Sequence, residues 1–134
     1  MKLLLDTNVF LEVILRQERA EEAGAVLAAY DRHELFITIF SLHSVGVPLF
    51  REGKHDAFQQ FLADMILDVG TAVIALSPEE MQGMASAARK FKLDFDDAYQ
   101  YVAAEKYGLT IVSFDGDFDR TELGRKTPAE VLKG

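Results

Sequence analysis

Short apolar segments with strand character alternate along this chain with stretches of helical character, and that alternation limits the fold more than any other feature. The first segment is Lys2 to Leu5, whose Leu3-Leu4-Leu5 run has no polar residue to turn toward water and so reads as a strand buried on both faces. Val9 to Leu15 packs its apolar residues too closely for surface alternation and reads as the first turns of a half-buried helix, which an Ala-rich helix from Ala20 to Tyr30 continues. Leu35 to Ile39 is short and rich in strand formers. It predicts a second strand, followed by a helix that Ser41 caps and that ends near Arg51-Glu52-Gly53. Ala57, Phe58, Phe61, Leu62, Met65 and Ile66 recur at helical spacing and form a stripe fit for the core or a dimer surface.

Thr71 to Leu76 reads as a third strand. In Ser77-Pro78-Glu79-Glu80, Ser77 caps a helix, Pro78 takes its first position and Glu80 completes a capping box. A helix from about Asp96 to Tyr107 ends at Gly108, Leu109 to Ser113 is a fourth strand, and Thr127-Pro128-Ala129-Glu130 repeats the capping pattern before a last short helix. With no linker, repeat or low-complexity segment, the expectation is one α/β domain over residues 1–134. Its sheet is central, mostly parallel and of four to five strands, with helices on both faces and crossovers of the usual right hand.

In an open sheet of this kind ligands bind outside the carboxyl ends of the strands. Asp6 follows the first strand and Asp115 the fourth, so two distant segments deliver carboxylates to the same edge, and Asp94, Asp96 and Asp97 stand at the head of a helix. Each acid has an ordinary role available. Asp6 can cap the helix that follows it, and acids at a helix start answer the macrodipole. Three acidic clusters together ask for more: converging carboxylates repel one another unless a cation lies between them, which predicts Mg²⁺ or Mn²⁺ on oxygen ligands, and hard cations suggest phosphate chemistry.

Composition narrows the choice. There is no cysteine, so disulfides and thiolate metal sites are excluded and the available ligands are carboxylates, three histidines and backbone oxygens. A net charge of -8 argues mildly against a general nucleic-acid binder. It leaves room for a nuclease whose acids are neutralised by cations, with Arg16, Arg19, Arg51, Lys54, Arg89, Lys90, Lys92, Arg120, Arg125 and Lys126 available for a rim or a solvated face. No apolar run approaches the ~20 residues of a membrane span and the start lacks signal-like features, so a cytoplasmic location away from membranes is expected.

Other chemistries fit poorly. Asp115-Gly116-Asp117-Phe118-Asp119 resembles the opening of a calcium loop, but Arg120 occupies its Gly position and Lys126 its bidentate Glu position. A phosphatase of the haloacid-dehalogenase type needs a second Asp where Asn8 stands, and there is no Gly-rich phosphate loop, Ser-His-Asp arrangement or nucleophilic Cys.

Leu5-Asp6-Thr7-Asn8, Asp97-Ala98 opening a helix with Ala103-Ala104, and Val112-Ser113-Phe114-Asp115 with Phe118 together resemble the PIN domain family over nearly the whole chain. The length, element order and Thr127-Pro128 ending are similar to the VapC-type toxin ribonucleases of toxin-antitoxin pairs within it. The resemblance implies a Mg²⁺- or Mn²⁺-dependent endoribonuclease in which Asp6, Asp97 and Asp115 match the first, third and fourth of four family acids as metal-holding, catalytic residues. Asn8 and Ser113 match its supporting polar positions, and Asp117 or Asp119 is available to assist. The second family acid, a Glu, falls at Ser44, which carries no charge; the neighbouring His43 points elsewhere, and Glu12 and Glu52 are the available substitutes. The resemblance thus also implies an alternative, a PIN-like domain that binds nucleic acid or protein with catalysis weakened or lost. RNA substrate, homodimerisation and a cognate antitoxin are implied partners, the antitoxin laying an amphipathic helix in an apolar groove and a basic side chain at the acids.

Overall fold

The computed structural model describes residues 1–133. One sheet runs through the molecule, built from β1 (Lys2–Leu5), β2 (Glu34–Thr38), β3 (Ala72–Ile74) and β4 (Thr110–Val112) in the order β3-β2-β1-β4, every neighbouring pair parallel. β1 is central: Leu4 lies opposite Phe36 on one side and Ile111 on the other. Because strand side chains alternate between faces, Leu3 and Leu5 enter one core with Phe10, Val26, Ile37, Val45 and Leu49, while Leu4 enters a second with Ile111, Ala98, Tyr99 and Ala103. All three leucines are fully buried, which is why the run has no polar member.

The first core is closed by α1 (Thr7–Ile14), α2 (Ala20–Ala28), α3 (Ile39–Arg51), α4 (His55–Phe61) and Val131 of α7 (Pro128–Lys133), the second by α5 (Pro78–Phe91) and α6 (Phe95–Tyr107). This is the expected α/β arrangement with four strands, to which Lys126 adds a single parallel bridge beside Val112. The capping boxes at Ser77–Glu80 and Thr127–Glu130 are both formed. Gly108, at φ 67, ends α6 in the left-handed conformation that a residue without a side chain adopts most easily.

Three readings of the sequence are corrected. α2 does not continue α1, because the chain turns between them with Arg16 in the left-handed region at φ 52. Ser41 does not cap α3: Thr38 does, its side chain accepting from the Ser41 backbone N–H, and Ser41 lies inside the first turn. The third strand is shorter than Thr71 to Leu76, since the Leu76 N–H donates to the Tyr99 hydroxyl rather than to a neighbouring strand. The apolar stripe from Ala57 to Ile66 spans α4 and a π-helical turn over Leu62–Asp68; Phe61 and Ile66 are buried, with Phe58 and Met65 packed against the same core. Among the described residues no helix is long and apolar enough to cross a membrane.

Candidate functional site

The parallel pairing of β1 with β4 aligns Leu5 with Val112, so the residues that leave the two strands, Asp6 and Ser113, emerge side by side. The Asp6 backbone N–H still donates to the Val112 carbonyl, which holds the junction in strand register. Asp6 then caps α1 through Oδ1, which accepts from the Thr7 N–H at 2.8 Å. Its other oxygen, Oδ2, accepts from the Ser113 hydroxyl at 2.7 Å and from Asn8 Nδ2 at 3.4 Å. Asn8 also reaches across to β4, donating to Ser113 Oγ and accepting from the Phe114 N–H.

From Ser113 the order passes outward. Ser113 Oγ accepts from the Asp115 N–H at 2.9 Å, and Asp115 Oδ1 in turn accepts from the Asp117 N–H at 2.8 Å, capping the 3₁₀ turn Gly116–Arg120. Arg120 donates to Asp117 Oδ1 and to the carbonyls of Phe91 and Lys92, tying this turn to the end of α5. α6 supplies the third wall. Asp94 caps it by accepting from the Asp97 N–H, which seats Asp97 in the first turn with its side chain inward. One turn later Gln100, 1% exposed, donates from Nε2 to Asp6 Oδ1 at 2.9 Å and to Ser41 Oγ.

These side chains enclose a crevice of about 220 Å³ lined by Asp6, Asn8, Ser41, Asp94, Asp96, Asp97, Gln100 and Asp115, with Phe40 and Leu11 as its apolar wall. Asp97, Asp115 and Asp117 each place one oxygen within 4.8 Å of the other two. Burial pushes the Asp97 carboxyl up to about 8, with the negative charges of Asp115, Asp94 and Asp6 adding to it. Burial also raises Asp6, against the pull of its hydrogen bonds from Ser113, Gln100 and Thr7.

The donor set fits a hard divalent cation. It is all oxygen, and it concentrates like charges that a cation would neutralise. Asp97 Oδ2 and Gln100 Oε1 are buried with no hydrogen-bond partner among the described residues, a deficit that a ligand in the crevice would fill. Asp6 differs from the other acids, since each of its oxygens already accepts two hydrogen bonds.

The structure therefore brings Asp6, Asn8, Asp97, Ser113, Asp115 and Asp117 together. Asp119 is turned away, paired with Arg125, which also donates to the Ser113 carbonyl. Ser44 is half-buried on α3 and does not line the crevice; Ser41, one turn earlier, does. Neither substitute acid reaches it: Glu12 accepts from the Arg19 N–H and Glu52 pairs with Lys54 on the surface. Gln100 and Ser41 escaped the sequence reading. The available signal was Gln100 lying three residues beyond Asp97 on one helix face.

A parallel α/β sheet with carboxylates gathered at the ends of two neighbouring strands, the central β1 and the edge strand β4, and at the head of one helix describes a class of acid-centred folds. A model of the PIN domain matches residues 3–123, and the chain belongs to that family. Solved structures share the fold at low identity. A toxin-antitoxin complex from Klebsiella pneumoniae superposes with a TM-score of 0.70 at 21% identity, over 93% of this chain and 96% of the other. VapC20 from Mycobacterium tuberculosis, described as a sarcin-ricin loop cleaving toxin, gives 0.73 at 20% identity over 90% and 95%. VapBC2 from Rickettsia felis, bound to a DNA fragment from its promoter, gives 0.73 at 13% over 94% and 97%. No curated protein matches the chain in sequence.

Proposed function

We propose that this PIN domain is a Mg²⁺- or Mn²⁺-dependent endoribonuclease acting as the toxin of a toxin-antitoxin pair. The observation that carries the reading is the meeting of Asp97, Asp115 and Asp117, the first two lining a crevice with Asp6 braced beside them and Asp97 Oδ2 buried there without a partner. In this reading Asp97, Asp115 and Asp117 hold the cation. Asp6 adds charge and, through Ser113 and Asn8, fixes where Asp115 stands. A bound divalent cation supplies neutralisation of the acids and polarises a phosphate oxygen. Asp97 Oδ2, buried without a partner, is the oxygen left free for the cation or a water on it, and Phe40 and Leu11 keep one side of the crevice dry.

Three further features support the partners named. Asn8 is shared between the crevice and an adjoining recess lined by Glu12, Gln17, Glu18, Arg19 and Phe114, where the Arg19 guanidinium lies 4.9 Å from the Phe114 ring centre and offers RNA one cation on an aromatic ring, flanked by two acids. An apolar groove formed by Met81, Met84, Ala85, Ala88, Phe95 and Ala98 runs beside Asp94 and Asp96, suited to the apolar face of an antitoxin helix. Val47 and Phe50 are exposed on α3 near Phe58 and suit a second copy.

One observation favours a binding domain without cleavage: α3 offers the crevice the Phe40 ring and the Ser41 hydroxyl but no acid. Calorimetric titration of Mn²⁺ and Mg²⁺ into the parent and Asp97→Asn, with cleavage of a structured RNA followed in parallel, separates the readings. Binding and cleavage by the parent, both lost in the variant, establish the nuclease. Cation binding without cleavage supports the binding domain, and no binding by the parent near millimolar metal removes the metal-dependent reading.

A further inference from the structure

Gln100 joins three parts of the fold at one amide. It sits inside α6 among Ala98, Tyr99 and Tyr101, all buried, and its Nε2 reaches both Asp6 at the end of β1 and Ser41 in the first turn of α3. Asp6 Oδ1 also accepts from the Thr7 N–H, so it is an acceptor, and the amide must present its nitrogen there. That fixes the side of the amide on which Oε1 lies. With both N–H groups engaged, Oε1 is left buried, unpartnered, and part of a side chain that lines the acidic crevice. A neutral oxygen there differs from the acids around it, because it offers a lone pair to a hard cation without adding to the repulsion among Asp94, Asp96, Asp97 and Asp115.

We infer that Gln100 is a residue of the cation site. Its Oε1 is the neutral oxygen that faces the divalent cation or a water of its hydration shell, on the side where α3 provides no carboxylate, while its nitrogen holds Asp6 and Ser41 in place. The inference rests on the metal-dependent reading above, and it adds to that reading a ligand that is neither acidic nor at a strand end.

The test is the rise in melting temperature on adding Mn²⁺ to the metal-free protein, together with the Mn²⁺ dissociation constant from calorimetry, for the parent, Gln100→Met, Gln100→Glu and Asp97→Asn. Gln100→Met keeps the length and removes both polar atoms. It is expected to bind Mn²⁺ about 10-fold or more weakly and to show a smaller thermal shift. Gln100→Glu keeps an oxygen and adds a charge beside Asp6, so its metal-free form is less stable and its Mn²⁺ shift exceeds the parent's. Should Gln100→Met not fold, Gln100→Asn decides in its place: it keeps the amide and draws the oxygen back by one carbon, and a Mn²⁺ affinity equal to the parent's would overturn the role of Oε1. Equal shifts in parent and Gln100 variants, with Asp97→Asn losing binding, would overturn the role of Gln100 and leave the metal-dependent reading standing; a parent that binds no Mn²⁺ overturns both.

Discussion

The Ser113 hydroxyl donates to Asp6 Oδ2 at 2.7 Å and accepts from the Asp115 N–H at 2.9 Å, so one buried side chain sets the relative position of two acids from opposite ends of the chain. Ser113→Ala leaves the carboxylate and the N–H each short of a partner in a buried place. A stability loss of about 1–3 kcal/mol is expected. If Asp115 holds a cation, Mn²⁺ affinity falls by roughly 10- to 100-fold as well, since partners behind a ligand set its orientation. Thermal melts and calorimetry check the two effects separately. Ser113→Thr, which keeps the hydroxyl, is expected to recover most of the affinity.

Asp97 gives the metal-free protein a pH dependence with a defined sign. Its carboxyl is raised from 3.8 to about 8 on folding. Between those values the folded state keeps a proton that the unfolded chain has released, so its contribution to stability is full below the lower value and is lost as pH rises through the upper one. The melting temperature in chelator is expected to carry a falling contribution from this group between about pH 4 and about pH 8, levelling above that. Asp97→Asn, which cannot ionise, flattens this slope and melts higher than the parent at the alkaline end. In the same variant RNA cleavage is expected to drop by at least about 100-fold. A parent whose melting temperature is level across that interval would count against the raised Asp97.

The acids at the strand ends were legible in the sequence because a strand buried on both faces shows itself as an apolar run, and the residue that ends the run is then placed by the fold. Leu3-Leu4-Leu5 before Asp6 and Ile111-Val112 before Ser113 both work this way. Gln100 was not legible for the opposite reason. α6 is buried over Asp97, Ala98, Tyr99, Gln100, Tyr101, Ala103 and Ala104, so no periodicity distinguishes a site face from a core face. The sorting of Asp117 from Asp119 was also hidden: each pairs with an arginine, and it is the course of the 3₁₀ turn that brings Asp117, and not Asp119, within reach of Asp97 and Asp115. The cap of α3 was misplaced by one turn because Thr38 and Ser41 are both good capping residues, and only the end of β2 selects between them.

Gly46 of α3 lies against the Phe58 ring of α4. A Cβ built there lies 3.0 Å from Phe58 Cε1, and Phe58 is itself packed on Phe61 and Phe50. Gly46→Ala gains about 1 kcal/mol in helix propensity but displaces the ring, at about 1–3 kcal/mol. Net destabilisation on the order of 1 kcal/mol is expected by chemical denaturation. Adding Phe58→Leu should remove most of the penalty, so the two substitutions are non-additive. Additive losses would show that the ring is not what Gly46 accommodates.

Ser44→Glu tests whether α3 can be given the charge it lacks. Side chains on a helix lean toward its N-terminus, so a Glu at this position is directed back over Ser41, which lines the crevice and accepts from Gln100. Ser44 is half-buried, and a longer side chain there has an exit to solvent, so folding is expected to survive with a change within about 0.5 kcal/mol. Without metal the added carboxylate meets Asp97 and its neighbours as a like charge; with metal it is an additional oxygen ligand. Mn²⁺ affinity should therefore rise by about 10-fold, and RNA cleavage with it if the missing acid limits turnover. A rise in affinity with no cleavage would assign the limit to RNA placement around Arg19 and Phe114. No change in either would show that the α3 side of the crevice is closed by Gln100 and Ser41, leaving the charge of the site to the ends of β1 and β4 and the head of α6.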